Sequence, residues 1–312
     1  MRDAFAKELT DLAGQDDRIV LLSGDIGNRM FDDFKGRFPD RFFNCGVAEA
    51  NMTSVAAGMA MCGLRPVTYT IASFNTVRCL EQIRLDVCYH RLPVLIAGVG
   101  GGLSYAENCA SHLSCEDIAM LRVIPNMTVI CPGDVHEVRG ALRAALLHDG
   151  PVYLRLGKKG EPAVHSSEPP FVIGKGIVIR QGQEVCLLST GNVLPLAVRS
   201  ADALEALGIS TQVVSCHTVK PLDHDLLAEA FSRFRLVATL EEHSVLGGLG
   251  GSVAEWVTDH EPSRAVLLRC GTADAFPPGA GHQEYMRQIH GLVPGDIVRR
   301  VQQLLKASVS AR

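Results

Sequence analysis

Residues 41–72 read RFFNCGVAEANMTSVAAGMAMCGLRPVTYTIA, and this stretch decides the fold class of the chain. It places a helical segment between two β-rich runs, and the same alternation continues on both sides. The runs RIVLLSGD, PVLIAGVG, MTVICP and PVYLRLG are separated by helical patterns. Strands that are apolar throughout and alternate with helices are typical of a parallel sheet covered on both faces. The sequence therefore predicts an α/β fold.

The length of 312 residues favours two domains of roughly 150 residues each. The stretch GEPAVHSSEPPF is rich in Pro and Ser and has no periodicity, which indicates a domain boundary. A second α/β series follows, with GKGIVIRQ, EVCLLSTG, STQVVSCHTV, RLVATLEEH and RAVLLRCG as its strand-like runs. We predict two doubly wound α/β domains over 1–160 and 174–312, joined by a surface linker over 161–173.

Composition excludes several classes of function. Lys and Arg (30) nearly balance Asp and Glu (34), so no excess charge favours nucleic acid or an anionic membrane. The first residues, MRDAFAKELTDLAGQ, form an amphipathic helix pattern without the apolar core of a signal peptide. The ten cysteines contain no C-x-x-C pair and lie singly in apolar segments. These features predict a cytoplasmic protein with reduced, mostly buried thiols.

The loops that follow the predicted strands are the first place to look for a ligand site, because parallel sheets bind ligands at the carboxyl ends of their strands. These loops read SGDIGN, NCGVAEAN and GVGGGLSYAENCASH, together with the segment after TYTIA. The glycine-rich loop fails G-x-G-x-x-G because Leu103 stands where the last glycine is needed, and no G-x-x-x-x-G-K-[ST] occurs. No G-x-S-x-G or H-E-x-x-H motif supports a serine hydrolase or a zinc site.

Three residues of these loops are candidates for chemistry. Glu49 begins a helix that is otherwise rich in Ala, Met, Val and Gly, so it is either a buried proton-sharing carboxyl or a first-turn Glu that complements the helix dipole. His112 follows the glycine loop and is either functional or a structural or solvated loop histidine. Asp25 is either a site residue or a loop cap. The residues alone predict a crevice containing these three side chains, and they name no reaction.

Four collinear segments resemble the transketolase family across essentially the whole chain. They read RFFNCGVAEANMTSVAAGMAMCG, RCLEQIRLDVCYHRLPVLIAGVGGG, SYAENCASHLSCEDIAMLRVIPNMTVICPGD, and EEH followed by GGLGGSVAEW. Deoxyxylulose-phosphate synthases and the beta subunits of 2-oxo-acid dehydrogenases share this architecture. The resemblance implies a thiamine-diphosphate pyrimidine-binding domain over 1–160, followed by a transketolase C-terminal-like domain over 174–312.

The resemblance also implies roles for individual residues. Glu49 matches the carboxyl that hydrogen-bonds N1′ of the aminopyrimidine in thiamine diphosphate, where proton sharing favours the reactive imino tautomer. His112 matches the histidine near the hydroxyls and the reacting carbonyl of the donor sugar. Asn108 stands where transketolases commonly have a substrate-contacting aspartate. Asp25 matches the aspartate near the thiazolium ring, with loop capping as an equal alternative.

The aromatic platform departs from the family pattern. Transketolases stack the aminopyrimidine on phenylalanines in T-F-x-x-F, but Ala72 and Asn75 stand at those places. Tyr69 and Phe74 flank them, and we expect one or both to bind the cofactor, with core aromatics as the alternative.

The residues at the family positions that bind the sugar phosphate also differ from those of the family. Gly100 and Lys158 stand where transketolases of phosphorylated sugars tend to have a histidine and an arginine. We expect Lys158 to bind substrate, and we expect a non-phosphorylated or otherwise modified sugar.

The Mg²⁺-binding sequence of full-length transketolases, G-D-G followed by a downstream asparagine, has no match here. We therefore expect the diphosphate and Mg²⁺ ligands on a large partner subunit, in a complex of two large and two small subunits. This chain would be the small subunit of a split transketolase that moves a two-carbon ketol unit from a ketose to an aldose. Two alternatives are a beta subunit of a 2-oxo-acid dehydrogenase or pyruvate-using synthase, and a non-catalytic regulatory subunit.

Overall fold

The computed structural model describes residues 1–27, 29–262, 265–277 and 279–310. Its strands are β1 (Ile19–Ser23), β2 (Phe42–Asn44), β3 (Arg65–Ile71), β4 (Leu95–Val99), β5 (Thr128–Ile130), β6 (Val152–Leu156), β7 (Ile177–Arg180), β8 (Val185–Ser189), β9 (Thr211–Ser215), β10 (Thr218–Lys220), β11 (Leu236–Ser244) and β12 (Val266–Thr272).

The helices alternate with these strands. They are α1 (Arg2–Ala13), α2 (Asp32–Arg37), α3 (Glu49–Met61), α4 (Leu80–Gln82, continued as a π-helix over Ile83–Tyr89), α5 (Asp117–Arg122), α6 (Val135–Leu147), α7 (Leu194–Glu205), α8 (His224–Arg233), α9 (Leu249–His260), α10 (Gln283–Ile289) and α11 (Pro294–Ser310). Short 3₁₀ turns include Val77–Cys79, Ala106–Ser111 and Gly191–Val193.

The strands form two mostly parallel sheets, which confirms the predicted α/β class. The first sheet has the order β10-β5-β6-β4-β3-β1-β2, and β10 is its antiparallel strand. The second has the order β12-β11-β8-β9-β7, with β7 antiparallel to β9. All five residues of β1, β4 and β6 are buried, as expected for strands covered by helices on both faces.

One strand from the second half of the chain, β10, belongs to the first sheet. The run STQVVSCHTV, predicted as one strand of the second domain, divides into β9 in the second sheet and β10 in the first. The chain crosses between the sheets at Cys216, whose N–H donates to Ser189 (2.7 Å), and His217, whose carbonyl accepts from Cys131 (2.6 Å). Sequence periodicity is the same on both sides of this crossing, so it carries no signal of the change of sheet.

The predicted linker packs against both halves. Residues 161–173, all of them described, contain no helix or strand. Phe171 packs on the core of the first half and stacks on His217 at a centroid distance of 3.9 Å, and Val164 packs on the core of the second half. The domain bounds of 1–160, 161–173 and 174–312 stay a prediction.

Helix α3 has an apolar outer face. Its inner side chains, which include Met52, Ala56 and Ala60, belong to a core cluster that continues into the second half. Its outer side includes Val55 and Met61, and a Cβ placed on Gly58 would meet nothing within 4 Å. The polar Asn51 and Ser54 are exposed on this helix as well, so its outer side combines apolar and polar side chains. No helix in the described ranges is long and apolar enough to cross a membrane.

Candidate active site

The loops that leave β1, β3 and β4 gather at the carboxyl edge of the first sheet, together with the first turn of α3. Gly24 shows how closely they pack, because a Cβ there would lie 3.0 Å from Thr70 and 3.6 Å from Cγ of Glu49. A side chain at position 24 would therefore crowd Thr70 where the loop after β1 passes the carboxyl group.

Glu49 is buried, with 1% of its surface exposed, at the first residue of α3. Its Oε2 accepts a hydrogen bond from Nη1 of Arg78 at 2.8 Å. Its Oε1 is buried and accepts no hydrogen bond from any described residue. A buried carboxylate oxygen without a donor is costly, so this atom lacks a hydrogen bond that a proton or an N–H group would supply.

Arg78 lies between Glu49 and Phe74 and contacts both side chains. Its guanidinium lies 4.5 Å from the centroid of the Phe74 ring, and Phe74 meets His112 edge-on at 5.2 Å. The side chains of Glu49, Arg78, Phe74 and His112 thus form a continuous row. Phe74 and His112 are half-buried, so the row faces the surface of this chain.

Sequence reasoning missed Arg78, although its position carries a signal. It lies in the 3₁₀ turn that leads into α4, where the positive end of a helix disfavours a cation. A cation at such a place indicates a nearby carboxylate, and that carboxylate is Glu49.

The loop that carries His112 and Asn108 is tied to the loop after β3. Oγ of Ser73 donates to the Ser111 carbonyl at 3.2 Å, and Oγ of Ser111 lies 2.9 Å from Nδ1 of His112. Asn108 is exposed, and its carbonyl accepts from Oγ of Ser111. The structure thus brings His112 against Phe74 and holds Asn108 in the same loop.

Lys158 reaches the same loop from the end of β6. Its Nζ lies 3.7 Å from Oε1 of Glu107, the residue before Asn108. Lys158 is therefore near the predicted substrate residues, and it forms an ion pair with Glu107.

Asp25 lies directly after Gly24 and is exposed. Its φ of +59° is in the left-handed region, and its Oδ1 accepts from Nδ2 of Asn44 at 2.8 Å. This bond joins the loops after β1 and β2, which fits the loop-capping alternative. Its place beside Gly24 also keeps it close to Glu49, so both alternatives stay open.

Tyr69 does not join this group. It is fully buried, stacks on Phe5 at 5.6 Å and meets Phe31 edge-on at 4.9 Å. Burial raises the pKa of its hydroxyl well above the ordinary value. The structure thus gives Tyr69 the surroundings of a core aromatic, and of the two predicted platform residues only Phe74 lies in the row.

Asn75 takes a structural role at the place of a family phenylalanine. It is fully buried, and its Nδ2 donates to the Ala97 carbonyl at 3.0 Å. This bond joins the loop after β3 to β4. Ala72 is fully buried beside it.

The glycine loop is filled by the protein's own side chains. A Cβ on Gly100 would lie 2.0 Å from the Tyr105 ring, one on Gly101 would lie 2.7 Å from Arg155, and one on Gly102 would lie 2.5 Å from Cβ of Glu242. Gly100 and Gly101 therefore permit close packing within the first half, and Gly102 permits the close approach of Glu242 from the second half. The packing agrees with the sequence argument against a nucleotide-phosphate cradle.

The Glu241-Glu242-His243 triplet of β11 holds the two halves together. Glu241 accepts from the N–H groups of Leu249 and Gly250, both at 2.7 Å, and so caps α9. Oε2 of Glu242 accepts from the N–H of Leu103 in the first half at 3.0 Å. Nε2 of His243 accepts from the N–H of Ala119 in α5 at 3.2 Å. Sequence reasoning used this triplet only for resemblance.

Burial changes the pKa values of two of these side chains. Loss of solvent raises the pKa of Glu241 to about 7, against the opposing effect of its two backbone donors. Loss of solvent lowers the pKa of His243 to about 4, although Asp117 lies nearby. The neutral imidazole is the form that can accept the bond from Ala119.

The donors and acceptors of this site fit an aminopyrimidine better than a metal ion. The free Oε1 of Glu49 can accept a ring proton, and the half-exposed Phe74 ring lies in the same row. Among the described residues, no group of three or more His, Cys, Asp or Glu side chains could hold a metal ion.

Comparison with known proteins identifies two family models in this chain. The model described as "Transketolase, pyrimidine binding domain" matches residues 1–161, and "Transketolase, C-terminal domain" matches residues 174–294.

Individual relatives agree with these matches. A 6-deoxy-6-sulfo-D-fructose transketolase subunit from Clostridium sp. (strain MSTE9) is 36% identical over 300 residues, which cover 96% of this chain and 92% of that protein. A 1-deoxy-D-xylulose-5-phosphate synthase from Azoarcus sp. (strain BH72) is 37% identical over 276 residues, which cover 87% of this chain and 43% of that protein. A solved structure described as "Split gene transketolase, inactive beta4 tetramer" has 37% identity and a TM-score of 0.88, and the match covers 98% of this chain and 97% of that one.

Proposed function

This chain belongs to the transketolase family, and we propose that it is the small subunit of a two-component, thiamine-diphosphate-dependent transketolase. It would transfer a two-carbon ketol unit from a ketose to an aldose. The observation that carries this proposal is the buried Glu49 carboxyl, with one oxygen held by Arg78 and the other free, beside Phe74 and His112.

Thiamine diphosphate, when bound, supplies the electron sink for breaking and making carbon–carbon bonds. Glu49 would share a proton between its free Oε1 and N1′ of the aminopyrimidine, while Arg78 fixes the orientation of the carboxyl through Oε2. Phe74 would contact the pyrimidine with its half-exposed ring. His112 would hydrogen-bond the oxygen of the donor carbonyl, in an orientation supported by Ser111. Asp25 would place a negative charge near the thiazolium.

The proposed donor is a ketose without a phosphate, or with another group in its place. Tyr105 fills the space above Gly100, so a cationic side chain has no room there, and Lys158 remains with Glu107 as its neighbour. The relative from Clostridium is named for a sulfonated fructose, which supports a donor with a group other than phosphate. Kinetics with matched phosphorylated and free ketoses test this part. A strong preference for the phosphorylated donor would count against it.

The partner would be a large subunit that carries the diphosphate and Mg²⁺ ligands. The apolar outer face of α3, next to Glu49, supports a chain-to-chain contact at this place. Names of relatives support a divided enzyme, since one is called a subunit and another a split-gene transketolase with an inactive beta4 tetramer. We propose two large and two small subunits. Native mass analysis of the co-expressed pair checks this stoichiometry.

The deciding experiment measures ketol transfer by this chain with and without its large partner, in the presence of thiamine diphosphate and Mg²⁺. Activity is expected only in the mixture. In the reconstituted complex, Glu49→Gln should lower kcat about 10²- to 10⁴-fold, the usual range for a lost proton-transfer group. Glu81→Gln, an exposed carboxylate on α4, is the matched control. Full activity of Glu49→Gln would refute the assignment.

A pyruvate-using synthase is the second candidate, and its support is the 37% identity to a 1-deoxy-D-xylulose-5-phosphate synthase. Product analysis with pyruvate and with a ketose as donors separates the two reactions. A non-catalytic subunit predicts that neither donor is used although the complex forms and binds the cofactor.

A further inference from the structure

The linker of residues 161–173 contains no helix or strand, so contacts with other segments hold it in place. Asp134, the residue that caps α6, makes several of these contacts. Its Oδ2 accepts from the N–H groups of Val164 and His165 at 2.9 and 2.8 Å, and its Oδ1 accepts from two N–H groups in the first turn of α6. One buried carboxylate therefore fixes both the start of α6 and the first part of the linker.

His165 lies between Asp134 and a second carboxyl group, that of Glu137. Its Nδ1 is 3.1 Å from Oδ2 of Asp134, and its Nε2 is 3.7 Å from Oε1 of Glu137. Both carboxyl groups are fully buried, and the side chain of His165 is 11% exposed. Two buried carboxylates so close together need a compensating proton, because like charges in such a place disfavour ionisation. We call these three side chains the linker cluster.

The proton that the linker cluster needs can be held by Nε2 of His165 or by Oε1 of Glu137. Oε2 of Glu137 accepts from the N–H of Gly133 at 2.6 Å, whereas Oε1 accepts no hydrogen bond from any described residue. Nε2 of His165 likewise has no hydrogen-bond partner in the described ranges. These two atoms are therefore places where the cluster can take up a proton without breaking a hydrogen bond.

The surroundings favour this proton near neutral pH. Burial raises the pKa of Glu137 to about 7, although the N–H of Gly133 acts in the opposite direction. Burial opposes a charge on His165, but the hydrogen bond to Asp134 and the charge of Glu137 outweigh it and raise the pKa of this histidine. Burial, and then the charge of His165, lower the pKa of His217 to about 4, so this ring on the crossing between β9 and β10 is neutral where the cluster titrates.

We propose that the linker cluster is a pH-sensitive contact: a proton shared by His165 and Glu137 holds the start of the linker on α6, and loss of this proton to solvent allows that part of the linker to detach. With the proton in place, one of the two negative charges is compensated. Without it, two buried carboxylates face a neutral imidazole. Because the pKa values of His165 and Glu137 are both raised, the stabilising effect is present at lower pH and is lost as the pH rises through about 7.

The detachment should be confined to the first part of the linker. Phe171, near its end, stacks on His217 at a centroid distance of 3.9 Å and packs against α6, where a Cβ on Gly140 would lie 2.6 Å from Cβ of Phe171. These contacts do not depend on the shared proton. We therefore expect opening at residues 161–168 without unfolding of either half.

Hydrogen–deuterium exchange of the full chain tests this proposal, measured by mass spectrometry at about pH 6 and about pH 8.5 and corrected for the intrinsic exchange rates. Protection of residues 161–168 is expected to fall by about tenfold or more at the higher pH, because a charge-assisted contact is lost. Protection in β4 should not change. The double variant Glu137→Gln, His165→Gln has amides in place of both proton-holding groups, so its linker should be equally protected at both pH values. His90→Gln, a change at an exposed histidine, should keep the pH dependence.

NMR of the histidine rings provides a second measurement. The ring of His165 should lose its proton at a lower pH in Glu137→Gln than in the unmodified chain, because the variant removes one of the negative charges that hold the proton. Equal titration midpoints in the two chains would overturn the proposal, and so would a linker whose protection is the same at both pH values. Exchange that remains pH-dependent in the double variant would overturn it as well. None of these measurements involves the partner subunit, so their outcome is independent of whether the complex performs ketol transfer.

Discussion

At the scale of single residues, Arg78 determines how the Glu49 carboxyl is presented. One of its guanidinium nitrogens holds Oε2 of Glu49, and the guanidinium plane covers the Phe74 ring. Without Arg78, both oxygens of a buried carboxyl would lack a donor. The interaction therefore supports both the stability of the chain and the geometry of the proposed proton transfer.

Arg78→Gln should lower the free energy of unfolding by about 1–2 kcal/mol, because it leaves Glu49 without its charged partner. Arg78 is 46% exposed, so solvent screening keeps the loss below that of a fully buried ion pair. Urea unfolding of the isolated chain measures it. Arg84→Gln, a change at an exposed arginine of the adjoining π-helix, is the control. Equal effects of the two variants would contradict the pairing.

A substitution at Gly102 would test the close packing of the glycine loop against Glu242. Its φ of +68° and the 2.5 Å approach of a Cβ to Glu242 both oppose a side chain. Gly102→Ala should destabilise the chain by about 2–4 kcal/mol in urea unfolding. Gly58→Ala in α3, where a Cβ meets nothing, should instead stabilise it by up to about 1 kcal/mol. Similar losses for both variants would refute the packing argument.

The sequence points to Glu49, His112, Phe74, Asn108 and Lys158, and all five lie on segments at the carboxyl edge of the first sheet. Sequence could not decide between Tyr69 and Phe74, because both aromatics flank the same loop. Their surroundings distinguish them, since Tyr69 packs between other aromatic rings and Phe74 reaches the surface.

At the scale of secondary-structure elements, β11 joins the second sheet to the first half of the chain. Three consecutive residues at its end make three different contacts: Glu241 caps α9, Glu242 binds the glycine loop, and His243 accepts from α5. Arg155 in β6 adds a contact in the other direction, because its Nη2 donates to the Glu242 carbonyl at 2.9 Å. The two halves are therefore coupled at the end of this strand.

This coupling should depend on pH through His243. Burial lowers its folded-state pKa to about 4, from an ordinary value of 6.5. A histidine with a lowered pKa contributes stability that is complete above pH 6.5 and is lost as the pH falls toward 4. The contribution of His243 to the free energy of unfolding, on the order of 2 kcal/mol, should be lost over this window, while Glu241, whose pKa burial raises to about 7, contributes in the opposite direction.

His243→Gln should reduce this pH dependence when urea unfolding is repeated between pH 7 and 4. The slope should not disappear, because burial also lowers the pKa of His217 to about 4. His90→Gln, a change at an exposed histidine, is the control and should leave the slope intact. An unchanged slope in His243→Gln would show that this histidine does not titrate as expected.

At the scale of the whole molecule, the outer face of α3 exposes apolar side chains close to the candidate site. Val55 and Met61 on α3, and Val77, Leu85 and Tyr89 on the segment that follows β3, are exposed apolar side chains. Covering them in a complex would place a second chain directly against Glu49 and Phe74. Association and completion of the active site would then be the same event.

Val55→Asp should prevent association with the large subunit, because it introduces a charge into an apolar contact. Size-exclusion chromatography of the mixed subunits measures this, and circular dichroism of the isolated variant checks that it folds. Leu147→Asp changes a leucine of α6 that is 80% exposed, and it should leave the complex intact. Complex formation by Val55→Asp at unchanged affinity would place the interface elsewhere.

The sequence by itself determined the α/β class, the family and the identity of the candidate catalytic residues, because these depend on hydrophobic periodicity and on short collinear motifs. Only the tertiary structure decided that β10 joins the first sheet, that the glycine loop packs on Glu242 and that Arg78 holds Glu49. The physical reason is that these contacts join residues distant in the chain, through directional hydrogen bonds and steric fit that leave no periodic trace in the sequence.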